Sequence, residues 1–314
     1  MSKYRAKLPQ LHGGQFLADG GLETTLIFHN GVDLPCFAAF PLIRTEQGRK
    51  MLRDYFIQYI EIASAEGYGF ILDTPTWRAS ADWGEKLGYS AAELDDVNRA
   101  CAAFLDELRA EYETAASPMA LSGALGPRGD GYDPGLIMTA DEAQSYHAAQ
   151  IVSLCAGGVD LISAFTMTNV PEAVGITRAA QEAGVPVVIS FTVETDGRLP
   201  TGETPAHAIE TVDRETGNGP AYYMINCAHP THFAEMLSEG GAWLKRLKGM
   251  RANASKRSHA ELDSAPDLDA GDPFELSGEY RDLIRQHGQI TVMGGCCGTD
   301  HRHIGAIASA CRPH

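Results

Sequence analysis

Residues 159–193, VDLISAFTMTNVPEAVGITRAAQEAGVPVVISFTV, decide the fold. An apolar run of strand type (159–165) leads into a helical segment (171–183), which stops at Gly184 and gives way to a second apolar run (185–193). Two strands separated by a helix need a crossover connection, and strands joined in that way lie parallel. The same alternation fills the chain. Strand-type runs occur at 15–19, 68–74, 118–125, 159–165, 185–193, 221–227, 243–253 and 288–295. Helical segments follow them at 46–66, 91–114, 140–156, 171–183, 203–211, 231–239, 276–287 and 301–311. Several carry end signals: the third opens on Thr139 with acidic residues in its first turn and ends at Gly157-Gly158. Eight strand–helix units predict an α/β protein, a (β/α)8 TIM barrel forming a single domain over 1–314 with its core at about 15–311. An open doubly wound sheet is the alternative. No Gly-x-Gly-x-x-Gly follows the first run, which weighs against a dinucleotide-binding form of it. The polar segment 250–273 reads as a long loop after the seventh strand.

Composition narrows the function. Apolar residues make up 44% of the 314 and charged residues 21%, a globular balance with ample core material. The net charge of -16 argues against nucleic acid or an anionic membrane as partner, since both are polyanions. The first residues, MSKYRAKLPQLHGGQF, contain no apolar signal core, and no apolar run is long enough to span a bilayer. The expectation is a cytoplasmic protein acting on small molecules, with self-association left open.

A barrel places functional groups at the C-terminal ends of its strands. Those ends carry Asp19-Gly20-Gly21, Thr74 and Thr76, Gly123, Phe165 and Thr166, Ser190 and Thr192, Asn226 and Cys227, Asn253, and Cys296-Cys297. Three of the seven cysteines thus gather on one rim, whereas Cys36, Cys101, Cys155 and Cys311 lie in loops or helices and read as small buried apolar residues. The odd number and irregular spacing do not form a disulfide framework. Adjacent cysteines such as Cys296 and Cys297 bridge each other only with strain. Three thiolates suit Zn2+, and three protein ligands leave a fourth position open, as in catalytic zinc sites. Gly294, Gly295 and Gly298 are expected to give the backbone the freedom to turn both sulfurs toward one ion. A structural zinc completed by His229, His301 or His303 is the alternative.

The motifs GGCCGT (294–299), INC (225–227) and LADGGLETTL (17–26) together resemble the homocysteine S-methyltransferases, a family that includes betaine–homocysteine methyltransferase and S-methylmethionine-dependent enzymes. The resemblance runs from about residue 15 to 311. It implies a (β/α)8 barrel, a Zn2+ cofactor held by Cys227, Cys296 and Cys297, and a role in methionine biosynthesis. It further implies acceptor contacts from Asp19, Gly20, Gly21 and Glu23, from Thr74 and Thr76 in DTPTW (73–77), from Thr166, from Ser190 in ISFT (189–192), and from Asn226. TGE (201–203) also resembles the family pattern. One position departs from that pattern: in AFTMTN (164–169), Phe165 stands where the family carries a glutamate for the acceptor's amino group. That points to a thiol without an amino group, or to an ammonium met by another carboxylate such as Glu23 or Glu194.

The implied chemistry is transfer of a methyl group from a sulfonium or quaternary-ammonium donor to a metal-activated thiol, with no protein acid or base assigned. Folate or cobalamin donation would need further domains. Trp77, Trp83, Tyr132 and Phe191 are candidates for an aromatic wall around a cationic donor, and the acidic segment 267–273 for attracting it. The competing readings are a zinc-dependent hydrolase and a non-catalytic binding barrel with a structural zinc.

Overall fold

A computed structural model describes residues 2–312. Eight strands form one closed barrel, each hydrogen-bonded to the next and the eighth to the first. They are β1 (Phe16–Leu17), β2 (Gly69–Asp73), β3 (Met119–Leu125), β4 (Leu161–Met167), β5 (Val187–Phe191), β6 (Tyr222–Asn226), β7 (Leu247–Ala252) and β8 (Val292–Gly295). Every pairing is parallel, including the closing pair Phe16↔Val292. The principal helices are α1 (Glu46–Glu66), α2 (Ala91–Tyr112), α3 (Ala140–Gly157), α4 (Val170–Glu182), α5 (Pro205–Thr216), α6 (Pro230–Ser238), α7 (Pro273–Gln286) and α8 (His301–Ala310). The expected (β/α)8 barrel is therefore the fold, and the open-sheet alternative falls.

Local chemistry explains the element ends. Ser90 and Thr139 start α2 and α3 with reciprocal capping boxes to Glu93 and Glu142, satisfying amide donors that have no partner inside the helix. Gly67, Gly158 and Gly217 end α1, α3 and α5 in the left-handed conformation. Along the strands, alternate residues point to opposite faces. Phe16, Ile71, Ala120, Leu161, Val188, Tyr222, Met224 and Val292 fill the barrel interior, while the larger cluster around Leu17, Phe70, Leu72, Leu121 and Ile162 lies between sheet and helices. Asp73 shares the inward face of Ile71, as Phe165 shares that of Leu161 and Asn226 that of Met224.

The structure corrects two expectations. Residues 243–246 are not strand; a 3-10 turn, Ala242–Arg246, precedes β7. The segment 250–273 is not simply a loop: it starts inside β7, contains a short helix, His259–Asp263, opened by a Ser258–Glu261 capping box, and folds back over the rim. The N-terminal residues also have a place, packing against the start of β4 through Tyr4 N–H to Asp160 Oδ1 (2.6 Å) and Arg5 to the Val159 carbonyl (2.7 Å). Among the described residues no helix is long and apolar enough to cross a membrane.

Candidate metal centre

Cys227 follows β6, and Cys296 and Cys297 follow β8. Their three sulfur atoms lie within 4.8 Å of one another, the one such cluster of potential metal ligands among the described residues. Cys227 Sγ and Cys297 Sγ are 3.9 Å apart. Tetrahedral zinc with bonds of about 2.3 Å needs sulfurs about 3.8 Å apart, so this spacing suits it. Cys296 and Cys297 do not pair with each other, but Cys227 and Cys296 are joined as a disulfide. That corrects the expectation of free thiols throughout: the sulfurs converge closely enough for two of them to meet, and ligation requires the reduced form. Burial pushes the Cys297 thiol up to about 11 although the Tyr132 hydroxyl pulls the other way, so without a cation this sulfur stays protonated. The donor set fits zinc.

The turn geometry differs from expectation. Only Gly298, of the three flanking glycines, has a left-handed backbone (φ 79°). Gly294 and Gly295 belong to β8 and provide space instead, a Cβ on Gly295 falling 2.0 Å from Thr299 Oγ1. The second left-handed residue is Cys227 itself, at φ 55°. Its carbonyl is held by Asn253 Nδ2 (3.0 Å) and His259 Nε2 (2.6 Å), contacts that keep an unfavourable conformation in place. Neither contact was read from the sequence, because Asn253 and His259 come from the segment after β7.

Asn226 ties the rim together. Its Oδ1 accepts from Thr166 N–H (2.9 Å) and Ser190 Oγ (2.6 Å), and its Nδ2 donates to Thr166 Oγ1 (2.9 Å). Thr166 is also left-handed, at φ 62°, so one amide side chain fixes the ends of β4, β5 and β6. Ser190 is fully buried behind Asn226 and does not line the cavity. Thr76 is likewise buried away from the cavity. It donates to the Ala124 carbonyl (2.8 Å), while Thr74 Oγ1 accepts from Ala124 N–H (2.9 Å) and lies 2.6 Å from Thr76 Oγ1. The two threonines extend the β2–β3 pairing, and Thr74 alone reaches the cavity.

Two cavities meet at Cys227 and Cys297. The inner one, about 100 Å3, is lined by Asp19, Gly20, Gly21, Glu23, Asp73 and Phe165 among others, and the outer one is about 340 Å3. In the inner cavity the buried Arg251 pairs with both Asp19 and Asp73. Arg251 lies inside the seventh strand run but was not singled out, because a lone arginine in a strand carries no motif. Its guanidinium carbon stands 5.0 Å from the centre of the Phe165 ring. Burial pushes the Glu23 carboxyl up to about 7, helped by the charge of Asp19.

The outer cavity is lined by Phe28, Phe37, Trp77 and Tyr132 with Asp130, Asp267 and Asp269. Tyr132 stacks on His259 at 4.0 Å, and its hydroxyl lies 3.7 Å from Cys297 Sγ. The other two expected aromatic-wall residues are elsewhere. Phe191 is buried against Tyr223, and Trp83 stacks under Arg78. Glu194 lies outside both cavities and faces His259 (3.1 Å). The histidines proposed as fourth ligand are also outside the sulfur cluster: His229 contacts Thr231 and Glu279, His303 contacts Asp300 and the Ala270 carbonyl, and His301 is exposed. Cys101 and Cys311 are buried as expected and Cys155 partly so, whereas Cys36 is exposed.

Known proteins resemble this chain along its length. A homocysteine S-methyltransferase 4 of Zea mays is 24% identical over 332 aligned positions, covering 96% of this chain and 90% of the relative. A selenocysteine Se-methyltransferase of Brassica oleracea var. italica is 23% identical, covering 94% and 88%. The metallated form of the homocysteine methyltransferase MmuM from Escherichia coli superposes with a TM-score of 0.75 at 15% identity, covering 98% of this chain and 99% of that one, and the oxidised form does so with 0.76. The family model for homocysteine S-methyltransferase matches residues 16–311, which takes in all eight strands and the three rim cysteines, and the chain belongs to that family of thiol methyltransferases.

Proposed function

We propose that the chain binds zinc through Cys227, Cys296 and Cys297 and moves a methyl group from a sulfonium or quaternary-ammonium donor to a small thiol, homocysteine or a close relative. The observation that carries this reading is the cluster of three sulfurs at the junction of two cavities, one small and closed by the barrel floor, the other larger and lined by aromatic rings. Zinc held there would favour the thiolate form of an incoming thiol near neutral pH, where a free thiol of pKa about 8.5 is mostly protonated.

The protein's own part is alignment. The inner cavity holds the acceptor with its sulfur toward the cysteines, and the outer cavity presents the donor methyl from the opposite side. An acceptor sulfur lone pair forms the new C–S bond while the donor's bond from carbon to S+ or N+ breaks, its electron pair staying on the leaving group. Positive charge vanishes at the donor as negative charge vanishes at the acceptor, so no side chain need move a proton at the methyl. Trp77 and Tyr132 line the outer cavity, with Arg78 over the Trp77 ring (4.1 Å) and His259 stacked on Tyr132, so that the donor cation meets whatever ring surface these neighbours leave, and Asp130, Asp267 and Asp269 make the outer mouth acidic. Asp269 also accepts from Ser255 Oγ (2.6 Å), holding the segment after β7 over the site and limiting water. The metallated form recorded for the Escherichia coli neighbour supports a metal in this fold.

The test is zinc content of reduced, anaerobically purified protein, followed by methyl transfer to homocysteine from S-methylmethionine and from glycine betaine. One zinc per chain and turnover with either donor are expected. Protein without stoichiometric metal, or metal that no thiol reaches, would overturn the reading.

A further inference from the structure

The floor of the inner cavity carries an acid with one unpartnered oxygen. Asp19 and Asp73 both pair with Arg251, so two carboxylates share one guanidinium and a negative charge remains. The second oxygen of Asp19 accepts from the Tyr55 hydroxyl (3.0 Å). Asp73 Oδ1 has no hydrogen-bond partner, although the residue is only 7% exposed and lines the cavity. A buried carboxylate oxygen left unpaired is costly, and such groups mark places where a ligand completes the bonding. Burial pushes Asp73 up to about 6 even beside Arg251, the behaviour of an anion short of positive charge.

Arg251 is poorly placed to bind a substrate carboxylate instead. All three of its nitrogens already donate, to Asp73, to Asp19 and the Asp19 carbonyl, and to the Gly295 carbonyl (3.0 Å), while Phe165 covers one face of the guanidinium. One face of the aromatic ring therefore serves a cation of the protein. Glu194 is out of reach, outside the cavity. Glu23 lines the cavity, but no ion pair fixes its carboxylate, and its charge is felt at Cys297. Asp73, by contrast, is clamped by Arg251 through one oxygen, lines the cavity, and has its other oxygen buried without a partner.

We propose that Asp73 receives the α-ammonium group of the acceptor, so that the acceptor is an amino-acid thiol in spite of Phe165. This rests on the thiol-methyltransferase reading above. Arg251 then acts as a positioning residue that orients Asp73, and the incoming ammonium balances the remaining charge of the floor.

Reduced, zinc-loaded full-length protein is titrated calorimetrically with homocysteine and with 4-mercaptobutanoate, which lacks only the amino group. The wild type is expected to bind homocysteine about 10- to 100-fold more tightly, the range of a charge-assisted hydrogen bond. Asp73→Asn should reduce that preference to roughly threefold or less, on the same grounds, while Glu23→Gln should keep it. Equal or tighter binding of 4-mercaptobutanoate by the wild type overturns the assignment and leaves the thiol site standing. A preference retained in Asp73→Asn, or lost in Glu23→Gln, also overturns it. Binding of neither thiol removes the thiol-acceptor reading itself. Should Asp73→Asn fail to fold, a wild-type preference that survives Glu23→Gln supports Asp73, and its loss there refutes it.

Discussion

The guanidinium of Arg251 lies over the Phe165 ring, 5.0 Å from carbon to ring centre, on the floor of the inner cavity. The ring fills barrel interior and faces a buried cation. Phe165→Ala removes both contributions and should cost about 3 kcal/mol of stability. Phe165→Leu keeps most of the apolar volume and should cost about 1 kcal/mol, mainly the lost cation–π contact. Urea unfolding of the two variants measures the difference, and a Phe165→Leu variant as stable as the wild type would mean that the π face contributes nothing.

Arg251 neutralises two buried acids, and its removal strands them. Arg251→Met should lower the unfolding free energy by about 3–5 kcal/mol, the cost of breaking a buried pair from one side. Arg251→Lys should recover only part of this, because an ammonium cannot present the planar fork that meets Asp19 and Asp73 together. Denaturant midpoints of the three proteins at pH 7 test the order.

The sulfur cluster predicts which cysteines matter for metal. Cys227→Ser, Cys296→Ser and Cys297→Ser should each lose stoichiometric zinc, while Cys101→Ser, far inside the helical layer, should retain it. Metal analysis after dialysis of reduced protein gives the answer.

Gly21 abuts the metal rim. A Cβ there would sit 2.6 Å from the Cys296 carbonyl oxygen and 2.4 Å from Thr24 Oγ1. Gly21→Ala must therefore push the cysteine turn aside, and zinc affinity in a chelator competition should fall roughly tenfold or more. Gly278→Ala, whose added carbon meets nothing within 4 Å, should leave affinity unchanged.

Asp300 caps α8 immediately after the cysteine turn. Burial raises its pKa, but hydrogen bonds from His303 and Arg302 outweigh that and hold the carboxyl well below the usual range. A depressed folded-state pKa stabilises the protein at pH above the unfolded value of about 3.9, and that contribution fades as pH falls further toward the folded value. Asp300→Asn should thus lower stability by about 1 kcal/mol or more at pH 7 and by progressively less below pH 4. Chemical unfolding of both proteins between pH 3 and pH 7 checks the convergence.

Sequence pattern carried the barrel because strand and helix periods are local properties. The eight apolar runs and the cap at Thr139 depend on neighbours a few residues away. The alternation also placed Cys227, Cys296 and Cys297 on one rim, since a closed parallel barrel leaves all strand ends on the same side. Contacts that depend on distant segments were not legible. Ser190 and Thr76 read as cavity residues from their strand-end positions, yet Asn226 and Ala124 hold them behind the wall. Of the glycines credited with turning the backbone at Cys296-Cys297 only Gly298 is left-handed, and the left-handed Cys227 was not read at all, because a strained backbone becomes visible only with the partners that hold it.

The sequence by itself determined the order of the elements, the face on which chemistry collects and the identity of three convergent thiols. Only the tertiary structure decided what surrounds them: that Arg251 from β7 lies between Asp19 from β1 and Asp73 from β2, that Phe165 covers it, and that residues after β7 return to hold Cys227. The reason is physical. Periodicity and capping act within a few turns of chain, whereas charge pairing and burial depend on which strands closure of the barrel brings together.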